Sequence, residues 1–350
     1  VDQMASDLAA FSGRNTYGLQ AQCTRQNFQD TFNIFADCIM NPAFPEEELA
    51  RQKQLAAASI AARKDNVDAT AMDLLAETFY QEHPYRMPVL GTRQTVADIT
   101  SQDVAGFHDR YARPNGMVLA IIGDIDAETA FETVEQTFES FSIGEITPPQ
   151  IPAEPNHTEQ TERTIVRDQK QAVVMYGFPG PKLGAEDRYA RDVMTAIFAG
   201  MGMPGGRLHR ALRGSQLVYA TWAFAQPGIE TGHYTIYAGT APDKVELVRE
   251  TVRGIIEKLV ENGPTEDEVE RGKQMAVAST QLRLQGNLDR AQKMVLDELY
   301  KLGFDNYLHY ADNIENVTAQ QVQDVASGLL DLSRSTVVVI SPDTSAQGGN

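Results

Sequence analysis

The sequence predicts an α+β protein of two homologous domains, each a mixed, mostly antiparallel sheet with helices packed on one face. Three observations predict it: one stretch of chain recurs, alternating strands interleave with amphipathic helices, and a proline-dense segment separates the two copies. Residues Arg51 to Ser59 read RQKQLAAAS and Arg271 to Ser279 read RGKQMAVAS, identical at six of nine positions at an offset of 220. Each follows an acidic helix start, Glu46-Glu47-Glu48 or Glu266-Asp267-Glu268, where carboxylates suit the positive end of the helix dipole. Downstream, Ile99-Thr100-Ser101-Gln102-Asp103-Val104 parallels Val317-Thr318-Ala319-Gln320-Gln321-Val322, each followed by a helix and an apolar strand. Two copies of one long unit are a duplication, not a solenoid array.

In chain order, Tyr17 to Thr24 alternates as a strand, and Phe28, Phe32, Phe35 and Ile39 share one helical face. Met117 to Ile122 is an apolar strand ending in Gly123-Asp124. Between Gly144 and Thr164 stand Pro148, Pro149, Pro152 and Pro155, a density that blocks helix and central strand alike. The expected division is therefore a first domain over 1–143, a linker over 144–164 and a second domain over 165–350. The first domain is expected to begin at an inner strand, without the opening strand and helix of the second. The second opens with a strand, Ala172 to Tyr176, expected to stop at Gly177-Phe178-Pro179-Gly180, followed by a helix from Asp187 to Ala199. Leu217 to Ala225 and Gly232 to Gly239 form a hairpin through Gln226-Pro227-Gly228. Val245, Val248, Val252, Ile255 and Leu259 make the next helical stripe, with Thr240 as its expected N-cap and Pro242 and Asp243 in its first turn. The last strand, Thr336 to Ile340, runs out at Ser341-Pro342-Asp343.

Thirty Lys and Arg stand against 48 Asp and Glu, a net charge of −18, which argues against a phosphate-gathering face and so against nucleic acid. No run of 18 apolar residues occurs, so no membrane span is expected. Val1 opens directly into an amphipathic segment with no visible signal peptide, which does not exclude export. Cys23, in the first strand, and Cys38, on the apolar side of a helix, lack zinc-site spacing; buried free thiols are expected, with a disulfide as the alternative.

Gly200-x-Gly202-x-x-Gly205 matches the dinucleotide fingerprint, but a helix precedes it where the fingerprint needs a strand, so a backbone-exposing turn is expected. The histidines are His83, His108, His157, His209, His233 and His309; none lies three or four residues from another, and neither His-Glu-x-x-His nor His-x-x-Glu-His is present. No grouping of nucleophile and base stands out either.

A run of short segments nevertheless has a recognisable order. Phe11-Ser12-Gly13-Arg14-Asn15-Thr16-Tyr17-Gly18-Leu19 is followed by Asn41-Pro42-Ala43-Phe44-Pro45-Glu46-Glu47-Glu48, His83-Pro84-Tyr85 and Gly91-Thr92. Then come Gln171-Ala172-Val173-Val174 with Gly177-Phe178-Pro179-Gly180, the glycine turn before Arg207-Leu208, and Leu212-Arg213 before Tyr219. Together these resemble the pitrilysin/insulinase metallopeptidase family, the inverted zincins, over nearly the whole chain; the nearest likeness is to the C-terminal, non-catalytic half of its long bacterial members.

The resemblance implies the metallopeptidase/LuxS-like fold and a chamber of two halves that closes around unfolded peptides. Active halves bind zinc through His-x-x-Glu-His on an early helix, upstream of the Ser12-Gly13-Arg14-Asn15 segment, and a Glu on a later one. At that later position this sequence reads Ser59-Ile60, so no metal is expected in this chain and zinc is expected in a partner half, fused or separate. The family's Arg and Tyr, which hold the scissile carbonyl in trans, fall on Arg213 and Tyr219, with five residues between them where six are usual. The resemblance implies a bacterial, periplasmic setting. Two other roles stay open: an inactive assembly module of the same fold, like core subunits of respiratory complexes, and a homodimer whose zinc ligands lie on a preceding segment.

Overall fold

A computed structural model describes residues 5–342; Val1 and Asp343 lie outside them. In chain order the strands are β1 (Asp7–Ser12), β2 (Tyr17–Gln22), β3 (Thr161–Arg167), β4 (Ala172–Gly180), β5 (Val218–Gln226), β6 (Gly232–Thr240) and β7 (Thr336–Pro342). The helices are α1 (Phe28–Met40), α2 (Glu46–Asp65), α3 (Val67–Phe79), α4 (Arg93–Asp98), α5 (Ser101–Tyr111), α6 (Ala127–Phe138), α7 (Arg188–Ala199), α8 (Gly206–Leu208), α9 (Val245–Asn262), α10 (Glu266–Arg283), α11 (Asn287–Leu299), α12 (Tyr310–Glu315) and α13 (Ala319–Leu329).

These elements fall into two compact units. Described residues through Ala61, with 89–150 and 283–307, form one; 62–88, 151–282 and 308–342 form the other. This spatial division is not continuous in sequence. Helix α3 belongs with the second unit and α11 with the first, and at the repeat offset of 220 these are equivalent elements. Each copy thus lends the other unit the same helix.

In the first unit β1 and β2 pair antiparallel, and Phe32 and Phe35 of α1 are buried, with Phe32 edge-on to Phe138 of α6 at 6.0 Å. Residues 117–122 form no strand, contrary to expectation, and Met117 and Leu119 remain exposed. An extended segment becomes a strand only where a neighbour completes its hydrogen-bond ladder, and none does so among the described residues. Cys38 is exposed rather than buried, Cys23 is half-buried, and both are free.

The second unit is built on a five-stranded sheet in the order β3-β7-β4-β6-β5, with one parallel pair, β3 and β7, and otherwise antiparallel neighbours. One face carries the large core. Val193, Met194 and Ile197 of α7, Val248, Val252 and Leu259 of α9, and Val322 and Ala326 of α13 pack there against Val174, Phe178, Ile236 and Val339. Ala71, Leu74 and Leu75 of α3 cover the other face, against Val173, Met175, Tyr237 and Val338. The Tyr237 hydroxyl donates to Asp68, pinning the first turn of α3 to the sheet. Arg63 and Asp73 add a two-pronged bond at 2.7 and 2.8 Å between the end of α2 and α3.

Helix α3 also explains a wrong stop. Strand β4 runs through Gly177-Phe178-Pro179-Gly180 and pairs with β6 along its whole length. Gly177 is a seat rather than a terminator: a Cβ there would lie 3.0 Å from Leu75 Cδ1 and 3.2 Å from Phe79 Cδ2. Thr240 is likewise not an N-cap. It ends β6, its hydroxyl donates to the Leu217 carbonyl at 2.6 Å, and a short 3-10 turn, Pro242–Lys244, leads into α9. The proline-rich segment is anchored in the second unit, where the Glu154 carboxylate accepts from the backbone N–H of Gln81, Glu82 and His83 at 2.7, 3.2 and 2.8 Å.

Candidate functional site

The approach to Arg213 begins where α7 ends. Gly200, Met201, Gly202 and Gly206 all have positive φ, and a Cβ on Gly206 would sit 2.7 Å from Ala199 N and Phe198 O. Only glycine fits that crossing, so these glycines serve a tight helix exit and not a pyrophosphate. The chain then turns through α8 into a π-helical turn, His209–Arg213. Leu208 and Leu212 are wholly buried in the large core. With those two anchored inward, Arg213 is left exposed at the end of the turn.

Strand β5 begins five residues later on the edge of the sheet. Val218 pairs with Thr240 and Ala220 with Gly239, so Tyr219 is the extra residue of a β-bulge. The bulge decides which way this end of the strand faces. Ala223 and Ala225 pack on the large core while Trp222 stacks on Tyr237 from the opposite side, 4.6 Å between ring centroids. Strict alternation from Ala223 would turn Val218 away from that core; the inserted residue switches the phase, and Val218 is buried in it. Tyr219 is released to solvent, 54% exposed.

The Arg213 guanidinium reaches the bulge. Its Nη1 donates to Tyr219 O at 2.5 Å and to Val218 O at 3.3 Å. Both side chains therefore stand at one end of the edge strand, beside a cavity of about 370 Å³ that Gln216, Ala241 and Lys244 also line. Neighbouring arginines are engaged elsewhere. Arg207 forms a fork on Glu268 at 2.7 and 3.0 Å, and Arg210 adds a bond at 3.2 Å. The Arg207 hydrogen bonds are the chief reason the Glu268 carboxyl titrates at about 2. Arg213, by contrast, meets no carboxylate among the described residues.

Ser59 lies exposed on α2 in the first unit. Three histidines distant in sequence do gather in the second unit around α3: His233 Nδ1 bonds the Tyr80 hydroxyl at 2.7 Å, His157 stacks on Phe79 at 4.2 Å, and His83 lies beside Tyr80. Spacing along the chain gave no sign of this cluster. It is aromatic packing rather than a metal centre, for no three His, Cys, Asp or Glu among the described residues are placed to hold a metal ion. A family-type zinc site therefore does not fit the residues present: the position expected to supply a carboxylate offers a neutral, solvent-facing hydroxyl.

This α+β fold, a mixed sheet with one parallel edge pair clad by helices on both faces, is similar to that of peptidases of known structure. The chain belongs to the insulinase family of peptidases, M16: residues 98–276 match the peptidase M16 inactive domain, and residues 1–93 match the family's insulinase domain. An uncharacterized zinc protease of Rickettsia felis is 28% identical over 352 residues, covering 98% of this chain and 82% of that protein. In fold, the chain is similar to a protease from Helicobacter pylori, with a TM-score of 0.89 at 18% identity over 97% of this chain and 83% of that one. It is also similar to a peptidase M16 inactive domain from Pseudomonas fluorescens, with a TM-score of 0.86 at 19% identity, covering 98% and 82%. No helix among the described residues is long and apolar enough to cross a membrane.

Proposed function

We propose that this chain acts as the non-catalytic half of a zinc metalloendopeptidase, enclosing unfolded peptides and supplying Arg213 and Tyr219 to the active site of a zinc-binding half. On this reading the segment 144–164 is the linker that joins the two sequence repeats. The observation that carries the proposal is the arrangement at the β5 edge. A permanent cation and a phenolic hydroxyl stand exposed at one end of an edge strand, and among the described residues neither meets a carboxylate. Both groups donate hydrogen bonds, and a peptide carbonyl that gathers negative charge during attack accepts them more strongly as the charge grows. Ser59, a neutral hydroxyl where the resemblance implies a Glu ligand, supports assigning the metal to the other half.

The test is reconstitution with a zinc-binding half and an unstructured peptide substrate. Tyr219→Phe removes one hydroxyl and should lower kcat by about 10²-fold, the usual consequence of losing one oxyanion donor. Unchanged turnover in both Tyr219→Phe and Arg213→Lys would instead favour an inactive assembly module.

A further inference from the structure

We infer that Lys244 makes the Arg213–Tyr219 cavity a carboxylate site, so that the peptide held there brings an acidic side chain or its own C-terminal carboxylate. The inference rests on the reading of Arg213 and Tyr219 just given and adds the chemical class of peptide. Lys244 ends the 3-10 turn before α9, is half-buried, and lines the same cavity as Arg213. Its Nζ donates to the Gln216 carbonyl at 2.9 Å, which fixes the ammonium at the cavity wall instead of leaving it to swing in solvent. An ammonium has three N–H donors, so two remain. Arg213 spends Nη1 on two main-chain oxygens, leaving the N–H groups of Nε and Nη2.

Two cations line this one small cavity. Some of the chain's other cations find a carboxylate. Arg63, Arg191, Arg207, Arg210 and Arg249 of the same unit all do. Arg213 and Lys244 do not, among the described residues, and the cavity wall carries no acidic side chain. Asp243, next to Lys244, is exposed and does not line the cavity. The net charge of −18 opposes acidic ligands only at long range, and at physiological salt it is screened beyond about 8 Å. Within the cavity the two cations dominate. Their spare donors and the Tyr219 hydroxyl suit a carboxylate seated beside the peptide carbonyl.

The test uses the full chain and three labelled, unstructured peptides of one sequence: neutral with an amidated C-terminus, the same with Glu replacing Gln, and neutral with a free C-terminus. Anisotropy titration at low salt should show at least one carboxylate peptide binding about fivefold tighter than the neutral amide, the scale of a partly exposed charge pair. Which of the two wins identifies the source of the carboxylate. Lys244→Gln keeps a donor but no charge and should abolish the preference, while Lys244→Arg should keep it. Equal affinity for all three peptides, or a preference unaltered in Lys244→Gln, overturns the inference. Arg213→Lys is measured separately in the reconstituted peptidase on the neutral amide: if kcat does not change, the carbonyl-binding reading fails instead.

Discussion

Arg213 Nη1 donates to the main-chain oxygen of Tyr219 at 2.5 Å, so the two side chains assigned to one peptide carbonyl are joined through backbone and not through each other. The guanidinium braces the bulge that turns Tyr219 outward, and the phenol hydroxyl stays available. Five residues separate the pair in sequence and both line one cavity; the bulge sets the phase of β5 and the π-helical turn sets where Arg213 ends.

That linkage predicts coupled mutants. In the reconstituted peptidase, Arg213→Lys loses the planar fork and loosens the bulge, whereas Tyr219→Phe loses only a hydroxyl. On the proposed reading both donors serve one oxygen, so the double variant should lose less than the product of the two single losses in kcat/KM. Tyr219→Phe should leave stability within about 0.5 kcal/mol, being an exposed change, as urea unfolding would measure. Multiplicative losses would mean the two groups act on different parts of the substrate.

Metal content gives a second check. The chain purified without chelator should hold no stoichiometric zinc, and Ser59→Glu alone should not create a site, since a single carboxylate on an exposed helix face lacks the further ligands zinc requires. Elemental analysis finding about one tightly held zinc per chain would overturn this.

The Arg207–Glu268 fork predicts an acid limb. Glu268 titrates at about 2 instead of its ordinary 4.5, so its carboxylate contributes stability above 4.5, and that contribution is lost as pH falls toward 2. Glu268→Gln should cost roughly 2 kcal/mol at neutral pH, the scale of a hydrogen bond to a charged group. It should also flatten the decline of wild-type stability between these two values. Parallel pH curves for the two proteins, from denaturant unfolding, would argue against the fork as the cause.

Helix α3 should depend on its glycine seat. Gly177→Val places a branched side chain where even a Cβ meets Leu75 and Phe79, and should cost about 1–3 kcal/mol by overpacking. Gly206→Ala should also destabilise, because its φ is positive and its Cβ would strike backbone that cannot rotate away. Thermal unfolding of both variants measures this; a wild-type melting point for either would show that the neighbouring segment yields.

Much of this was legible in the sequence, and the reason is local. The stripes Phe28-Phe32-Phe35 and Val248-Val252-Leu259 repeat with the helix period, and the β5–β6 hairpin alternates around its turn; such patterns record which side of an element is buried. The duplication announced itself by identity at one offset. The order of short segments from Phe11 to Tyr219 also points to the insulinase family. Other features depend on what each element meets. Gly177 reads as a stop until α3 lies on it, and nothing in the spacing of Val67–Phe79 says that this helix crosses to the sheet of the other copy. The Tyr219 bulge exists only in register with Gly239 and Thr240, and the Lys244 ammonium reaches the carbonyl of Gln216, 28 residues away in sequence. Periodicity specifies which face is apolar, but which partner covers that face, and which donors are left facing a cavity, was decided by tertiary packing, because those contacts join residues that no local pattern connects.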